Sequence, residues 1–232
     1  MIMAHRGASA YAPDNTIEAI NKAFELGADG IEIDVQMSRD GELFLFHDWD
    51  LEKVTGDKAL ITSKTMAEIK KIDAGSWFSS KFAGIKLPTL EEAFDAVPKG
   101  KIVNIEIKKT SVDTREVEDK VVKCVRDMGM TERVIISSFN HKTIAKIEKI
   151  DSEIKTALII ASMLINPVRY LSSFRCYSLH PVFYYADADL INELHDNNIK
   201  IYPWVVNDAG YARVLTDAGC DGIITNYPDI EF

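Results

Sequence analysis

Imidazole and guanidinium groups follow short apolar segments of this 232-residue sequence. His5 and Arg6 come directly after the apolar residues 2–4, and His47 follows the apolar residues 43–46. Two histidines near neutral pKa can act as proton donor and proton acceptor to the two oxygens of an ester that is being cleaved. An arginine beside them can donate charge-assisted hydrogen bonds to phosphate oxygens. These residue types suit chemistry at a phosphate ester.

Charged residues alternate with apolar ones in two strand-like segments. The first contains Glu32 and Asp34, and the second contains Glu106 and Lys108. Every second side chain of a strand points to the same face, so each pair shares a face. Close like charges are unfavourable inside a protein unless a cation or a proton lies between them. The three carboxylates therefore predict a site for one divalent cation, Mg²⁺ or Ca²⁺. The alternative is that both strands are amphipathic and expose their carboxylates, which their apolar neighbours disfavour.

Other candidates depend on single residues. Lys108 could bind phosphate as Arg6 could, although either cation could instead pair with the carboxylates. Trp204 ends a late strand-like segment and could pack against a small polyol, although a position in the core fits the pattern nearly as well. The remaining histidines are interpreted as structural: His141, His180 and His195.

Helical and strand-like patterns alternate along most of the chain, which predicts a parallel sheet covered by helices. So many βα units in one domain of this length favour a TIM-type (β/α)8 barrel in the α/β class. The strand-like segments cover residues 2–5, 30–35, 43–47, 102–108, 134–138, 156–160, 176–180, 201–206 and 222–225. Nine segments are one too many, and the interval 34–47 is too short for a crossover helix. One segment there is therefore expected to be irregular.

Helices are predicted over residues 15–26, 114–128, 141–150, 187–197 and 208–217. The first is expected to begin with a capping box of Asn15 and Glu18, and a further helix to begin with a capping box of Thr89 and Glu92. Residues 27–31 are nearly repeated at 219–223, which indicates equivalent helix-to-strand junctions near the two ends of the chain. A barrel brings its first and last strands together, so such a repeat is expected there.

The domain prediction is a single catalytic barrel over residues 1–232, because 47% hydrophobic residues suffice for one sizeable core. Residues 49–87 interrupt the alternation and are predicted to form an inserted subregion. This insertion follows His47 and would lie at the carboxyl ends of the strands, where barrel enzymes have their active sites. It is therefore expected to cap the site.

Composition restricts the partners. A net charge of −9 argues against a nucleic-acid-binding protein. No apolar run approaches the ~20 residues of a membrane span, and no signal peptide precedes the first strand-like segment. The cysteines are odd in number and lack metal-binding spacing, which predicts free thiols and a cytoplasmic location: Cys124, Cys176 and Cys220. The predicted partner is a small-molecule substrate, and homo-oligomer formation stays open.

The assembled motifs resemble the glycerophosphodiester phosphodiesterase family. The matching segments include His5-Arg6-Gly7, Pro13-Asp14-Asn15-Thr16, Glu32-Ile33-Asp34, His47-Asp48, Glu106-Ile107-Lys108, Trp204-Val205-Val206-Asn207 and Asp221-Gly222-Ile223-Ile224-Thr225-Asn226. Each motif is weak alone, but the ordered set spans essentially the whole chain and is highly specific. The chain departs from the family at Asp14, where Glu is usual, and at Asn226, where Asp is usual. These changes are expected to affect substrate fit more than activity.

The resemblance implies a metal-dependent hydrolase of the TIM-barrel type. Its substrates would be glycerophosphodiesters such as glycerophosphocholine and glycerophosphoethanolamine, and its products glycerol 3-phosphate and an alcohol. The implied roles are an acid–base pair of His5 and His47, metal ligands Glu32, Asp34 and Glu106, and phosphate-binding residues Arg6 and Lys108. Trp204 is a further candidate for substrate contact.

Several alternatives stay open from the sequence. It does not decide between Mg²⁺ and Ca²⁺, the headgroup, which histidine is the acid, or whether water or a glycerol hydroxyl attacks. A lysophospholipase D-like enzyme acting on lipids is disfavoured by the missing leader and lipid-anchoring stretch. A non-catalytic phosphate-binding barrel is disfavoured because the histidines and carboxylates are all present. A sugar-phosphate isomerase or aldolase barrel would explain neither the paired carboxylates nor the two histidines.

Overall fold

The structure is a computed structural model that describes residues 1–232, and a curled sheet of parallel strands forms its centre. Strands are numbered along the chain, and eight of them form this sheet: β1 (Ile2–His5), β2 (Gly30–Met37), β6 (Ile102–Ile107), β7 (Val134–Ser138), β8 (Lys155–Ile160), β9 (Ser178–Pro181), β10 (Lys200–Ile201) and β11 (Ile223–Thr225). Their order is β10-β9-β8-β7-β6-β2-β1-β11. Backbone hydrogen bonds from Ile224 N to Pro203 O (2.9 Å) and from Val206 N to Ile224 O (2.8 Å) join the two ends. The predicted TIM-type α/β fold is confirmed.

Helices cover the outside of the sheet. Successive strands of the sheet are connected through α1 (Ile17–Glu25), α4 (Leu90–Asp95), α5 (Val117–Asp127), α6 (His141–Ile150), α7 (Pro167–Leu171), α8 (Ala188–Asp196) and α9 (Ala209–Asp217). The main hydrophobic core of 36 buried residues lies between the two layers and includes Ile31, Ile33 and Val35 of β2. The side chains at the alternate positions of β2, such as Glu32 and Asp34, therefore point into the barrel.

The first helix begins differently from the prediction. Thr16, and not Asn15, is the N-cap, and its hydroxyl accepts a hydrogen bond from Ala19 N at 3.2 Å. Asn15 lies in the left-handed region at φ 58°, and its side-chain amide donates to Asp34 at 2.7 Å. The predicted capping box of Asn15 and Glu18 is wrong, because the asparagine side chain is committed to the barrel interior. The second box is confirmed, and it starts α4.

The ninth strand-like segment lies outside the parallel sheet. It forms β3 (Leu43–Leu45), which pairs antiparallel with the end of β2. A tight turn therefore suffices between them, and no crossover helix is needed. The insertion that follows contains β4 (Asp50–Leu51), α2 (Glu52–Thr55), β5 (Asp57–Leu60) and α3 (Met66–Ile69). A separate apolar cluster packs around it: Phe44, Phe46, Leu51, Ile61, Met66, Ile69, Ala74 and Leu87.

The near-repeated junctions are structurally equivalent. The carboxylate of Asp29, directly before β2, accepts a hydrogen bond from Ile2 N at 2.8 Å. The carboxylate of Asp221, two residues before β11, accepts one from Ile201 N at 2.9 Å. Each aspartate thus ties the residues that lead into its own strand to the neighbouring strand, β1 or β10. The same residue pattern therefore makes the same kind of hydrogen bond before β2 and before β11.

Two compositional predictions can be compared with the structure. All three cysteines are free thiols, as expected. No helix combines the length with the apolar composition that a bilayer crossing requires.

Candidate active site

A cavity lies at the carboxyl ends of the barrel strands, with about 390 Å³ of empty space that includes its opening to solvent. Its lining consists of His5, Arg6, Glu32, His47, Asn104, Glu106, Lys108, Phe139, Ile159, His180, Trp204 and Ile224. Every site residue predicted from the sequence is in this lining except Asp34. That aspartate is buried beside the cavity and contacts Arg6 and Lys108, each at 3.2 Å.

The end of β1 brings two neighbouring side chains to the cavity. Arg6 has φ 58° and Gly7 has φ 77°, so the chain turns sharply as soon as the strand ends at His5. On a continuing strand, His5 and Arg6 would point to opposite faces. A Cβ on Gly7 would lie 2.5 Å from the carbonyl carbon of Ala19. Glycine is therefore required both for the positive φ and for the close approach of α1.

His5 is held by neutral partners. Its Nδ1 lies 2.7 Å from Oδ1 of Asn226, which also accepts a hydrogen bond from Ser9 Oγ at 3.0 Å. Burial, and secondarily the charge of Arg6, lowers the pKa of His5 to about 4. The ring is thus neutral at physiological pH, with its proton on Nδ1 facing Asn226. Nε2, which lies 3.9 Å from Glu32, is then the free proton acceptor.

His47 has a charged partner instead. It lies on the loop after β3, and its Nδ1 is 2.7 Å from Asp48 Oδ1. The hydrogen bond from His47 lowers the pKa of the Asp48 carboxyl. Gln36 holds this loop, because its side-chain amide donates to the carbonyls of Phe46 (2.8 Å) and Asp48 (2.9 Å). The two histidines therefore differ in the group that orients them.

The three predicted carboxylates converge. Parallel pairing of β2 and β6 places Asp34 beside Glu106, and ligand atoms of Glu32, Asp34 and Glu106 lie within 4.8 Å of one another. Burial raises the pKa of Glu32 well above its usual range, and the neighbouring carboxylates raise it further. Burial and Asp34 likewise raise the pKa of Glu106. Glu32 Oε1 and the nearby Asn104 Oδ1 are buried without a hydrogen-bond partner. This set of oxygens fits a hard divalent cation.

Two basic side chains neutralise part of this charge. Lys108 Nζ lies 2.6 Å from Glu106 and 3.2 Å from Asp34, and Arg6 Nε lies 3.2 Å from the other oxygen of Asp34. Burial alone would raise the pKa of Asp34, but Lys108 and Arg6 hold it below its usual range. When all three carboxylates are ionised, their charge exceeds that of the two cations by one. A further cation is therefore favoured here.

We call these groups, which come from β1, β2, β6 and the loop after β3, the charged wall: His5, Arg6, Glu32, Asp34, His47, Glu106 and Lys108. The opposite side of the cavity, the aromatic wall, comes from β7 to β10 and the loops after them: Phe139, Ile159, His180 and Trp204.

Contacts within the aromatic wall fix its rings. The Trp204 indole N–H donates to the carbonyl of His180 at 2.8 Å. The ring of Phe139 packs edge-on against Trp204, with centroids 5.5 Å apart. The sequence identified only Trp204 here and assigned His180 to the structural histidines. The alternation of Ser178 and His180 on one strand face was the available signal, and it resembles the pattern that revealed Glu32 and Asp34.

The two departures from the family pattern both contact predicted site residues. Asn226 orients His5, as described above. Asp14 lies 3.2 Å from the Arg6 guanidinium and 3.1 Å from Lys53 of the insertion. Each of these two positions thus touches a group of the charged wall, Asn226 through His5 and Asp14 through Arg6.

Comparisons with known proteins agree with this geometry. The model of the "Glycerophosphoryl diester phosphodiesterase family" matches residues 5–230. A glycerophosphodiester phosphodiesterase of Caldanaerobacter subterraneus subsp. tengcongensis is 40% identical over 230 residues, covering 99% of this chain and 95% of that protein.

Solved structures give the same result. A glycerophosphodiester phosphodiesterase from Thermotoga maritima is 31% identical, with a TM-score of 0.80 over 98% of this chain and 95% of that one. A phosphodiesterase of Oleispira antarctica, solved in complex with the product sn-glycerol-3-phosphate, is 27% identical, with a TM-score of 0.89 over 99% of this chain and 94% of that one. The protein is thus an enzyme of the glycerophosphoryl diester phosphodiesterase family, as the resemblance of its motifs predicted.

Proposed function

We propose that the protein hydrolyses glycerophosphodiesters to glycerol 3-phosphate and an alcohol, with one divalent cation as cofactor. The observation that carries the proposal is the convergence of two imidazoles, two cations and three carboxylates around one small cavity. Names of the relatives support the substrate class, since they include glycerophosphodiester phosphodiesterases at up to 40% identity.

The carboxylates of Glu32, Asp34 and Glu106 would hold the cation, either Mg²⁺ or Ca²⁺. A bound divalent cation supplies positive charge and polarises phosphoryl oxygens. Arg6 and Lys108 pair with the same carboxylates and stand at the cavity surface. They can therefore donate charge-assisted hydrogen bonds to the non-bridging oxygens of the phosphodiester.

The unequal partners of the histidines support unequal roles. Neutral His5, with its proton held toward Asn226, takes the proton of the attacking hydroxyl on Nε2 as the new P–O bond forms. His47, whose Nδ1 faces the Asp48 carboxylate, gives its proton to the leaving alcohol oxygen as the old P–O bond breaks. If the adjacent glycerol hydroxyl attacks, this step gives a cyclic phosphate, and water then opens the ring with the two histidines in exchanged roles.

The insertion at residues 49–87 caps the cavity in this proposal. Lys53 joins it to the barrel through Asp14, which in turn contacts Arg6. The Lys53 ammonium also lies 3.8 Å from the centroid of the Trp77 ring inside the insertion. This chain of contacts connects the cap with the phosphate-binding side of the site, within one domain over residues 1–232.

Release of glycerol 3-phosphate from a panel of glycerophosphodiesters tests the proposal. We expect release from glycerophosphocholine and glycerophosphoethanolamine, loss of release with a chelator, and recovery when Mg²⁺ or Ca²⁺ is added back separately. Lysophosphatidylcholine in the same panel tests the lipid-acting alternative. Absence of release from every glycerophosphodiester would overturn the substrate assignment, and activity that resists the chelator would overturn the cofactor.

A further inference from the structure

His180 has a ring nitrogen for which the protein provides no partner. The residue is 1% exposed, lies on β9 and lines the cavity. Its Nε2 is 2.9 Å from the hydroxyl of Ser178, two residues earlier on the same face. Its Nδ1 is buried and makes no hydrogen bond. An unpaired buried polar atom is costly, so a ligand that pairs with it gains affinity.

The neighbouring hydroxyl determines where the proton of this ring lies. Ser178 is fully buried, and the Nε2 of His180 is the one hydrogen-bond partner of its hydroxyl. A buried O–H requires an acceptor, so Ser178 donates and Nε2 accepts. Burial also lowers the pKa of His180 to about 3, which keeps the ring neutral. The single ring proton therefore lies on Nδ1, which is a neutral hydrogen-bond donor.

Packing fixes the direction of this donor. The ring of Tyr202 packs edge-on against the His180 ring, with centroids 5.5 Å apart. The indole of Trp204 donates to the backbone carbonyl of His180, so the two residues of the aromatic wall are in direct contact. A donor with a fixed direction can discriminate between ligands, because it requires an oxygen at one place.

We propose that His180 is a substrate-binding residue that donates a hydrogen bond from Nδ1 to a hydroxyl oxygen of the glycerol moiety. The proposal rests on the proposed function. Phosphate oxygens are expected on the opposite side, where the cations of the charged wall are. The remaining, uncharged part of the substrate then faces one neutral donor and the apolar surfaces of Phe139, Ile159 and Trp204. A glycerol backbone, with carbon atoms and a free hydroxyl, matches that combination.

A double variant, Ser178→Ala/His180→Phe, tests the proposal. It removes both members of the buried hydrogen bond and keeps a ring, so no buried hydroxyl is left unpaired. For glycerophosphocholine we expect about a tenfold loss of kcat/KM, mainly through KM. For bis(4-nitrophenyl) phosphate, a diester without glycerol, we expect a smaller loss than for glycerophosphocholine, because no glycerol hydroxyl contact is removed. His195→Gln is the control, because His195 bonds to Asp221 at the amino-terminal end of the barrel.

Binding by calorimetry gives a readout that does not depend on turnover. The double variant should bind sn-glycerol 3-phosphate about tenfold more weakly than the wild type and should bind inorganic phosphate equally well. Equal losses for both ligands, or no loss for either, would overturn the role of His180. If the wild type selects glycerol 3-phosphate over phosphate but cleaves no glycerophosphodiester, the proposed function fails and the His180 assignment survives.

A milder variant covers the case in which the double variant does not fold. Ser178→Ala keeps the ring but removes the group that fixes its proton on Nδ1. We expect a smaller loss, about threefold, confined to ligands that contain glycerol. An equal effect of Ser178→Ala on inorganic phosphate would contradict the proposal.

Discussion

The two walls of the cavity are held together by different forces. In the charged wall, opposite charges fix one another, as Lys108 does with Glu106 and Asp34. In the aromatic wall, rings pack edge to face, and the polar contacts are neutral hydrogen bonds, from Trp204 to a backbone carbonyl and between Ser178 and His180. Ion pairs can exchange partners when a cation or a phosphate arrives, whereas packed rings keep their positions.

This difference assigns different tasks to the walls. Buried charges are tolerated only when they are paired, and the ion pairs of the charged wall compensate its carboxylates in part, which leaves room for a cationic ligand to complete the pairing. It is suited to binding the phosphate and moving protons. The aromatic wall has little charge to exchange and offers a preformed surface, which is suited to recognising the uncharged part of a substrate. Substitutions on the first wall should therefore change kcat, and those on the second should change KM.

The largest expected effect comes from removing either histidine of the charged wall. His5→Ala and His47→Ala should each lower kcat by roughly 10²–10⁴-fold, because each deletes one proton-transfer group. Steady-state kinetics on glycerophosphocholine gives the value, and circular dichroism checks folding. His195→Ala, which alters a histidine at the far end of the barrel, should keep wild-type kcat. Near wild-type turnover in either active-site variant would contradict the acid–base roles of the two histidines. It would also contradict the division of tasks between the two walls.

The residues of the charged wall were also easier to predict from the sequence than those of the aromatic wall. Glu32 and Asp34 alternate with fully buried apolar residues, so their shared inward direction followed from strand geometry. His180 lies in the same kind of alternating pattern. The sequence cannot show, however, that one nitrogen of this neutral ring lacks a hydrogen-bond partner, because that depends on the fold. Asn15 was misplaced for a related reason. Its bond to Asp34 crosses from a loop to a strand, and local sequence rules cannot include such a contact.

The strand order shows a similar limit. Repeated βα units predicted the barrel, and the surplus segment was expected near residues 34–47. Its actual pairing, β3 antiparallel to the end of β2, depends on β2 continuing past the part that pairs with β1. How far β2 extends beyond its pairing with β1 is determined only in the assembled sheet. Sequence periodicity therefore located the strand-like segments but not the partner of the surplus one.

A second prediction concerns how pH affects the charged wall. The pKa values of Glu32 and Glu106 are raised in the cation-free protein, so these groups retain protons above the usual carboxyl range. A cation must displace those protons, and its affinity should therefore increase with pH, by up to about tenfold per pH unit for each proton displaced. Calorimetric titration with Mg²⁺ and Ca²⁺ at several pH values measures this slope.

Matched variants show whether the slope belongs to the charged wall. Glu106→Gln should weaken cation binding and flatten its pH dependence, because one of the titrating ligands is gone. Phe139→Leu, on the aromatic wall, should leave both the affinity and the slope unchanged. A pH-independent affinity in the wild type would contradict the assignment of these carboxylates as the ligands.

The smallest expected effect is on the aromatic wall. Trp204→Phe keeps an aromatic surface but removes the indole N–H that bonds to the His180 carbonyl. We expect KM for glycerophosphocholine to rise about threefold with kcat nearly unchanged, since one neutral hydrogen bond that orients the wall is lost. Trp77→Phe is a close control, because the Trp77 indole also donates to a backbone carbonyl, that of Ala74, at 2.8 Å but within the insertion. A fall in kcat for Trp204→Phe, with KM unchanged, would show that the aromatic wall takes part in the chemical step and that the two walls do not divide recognition from catalysis.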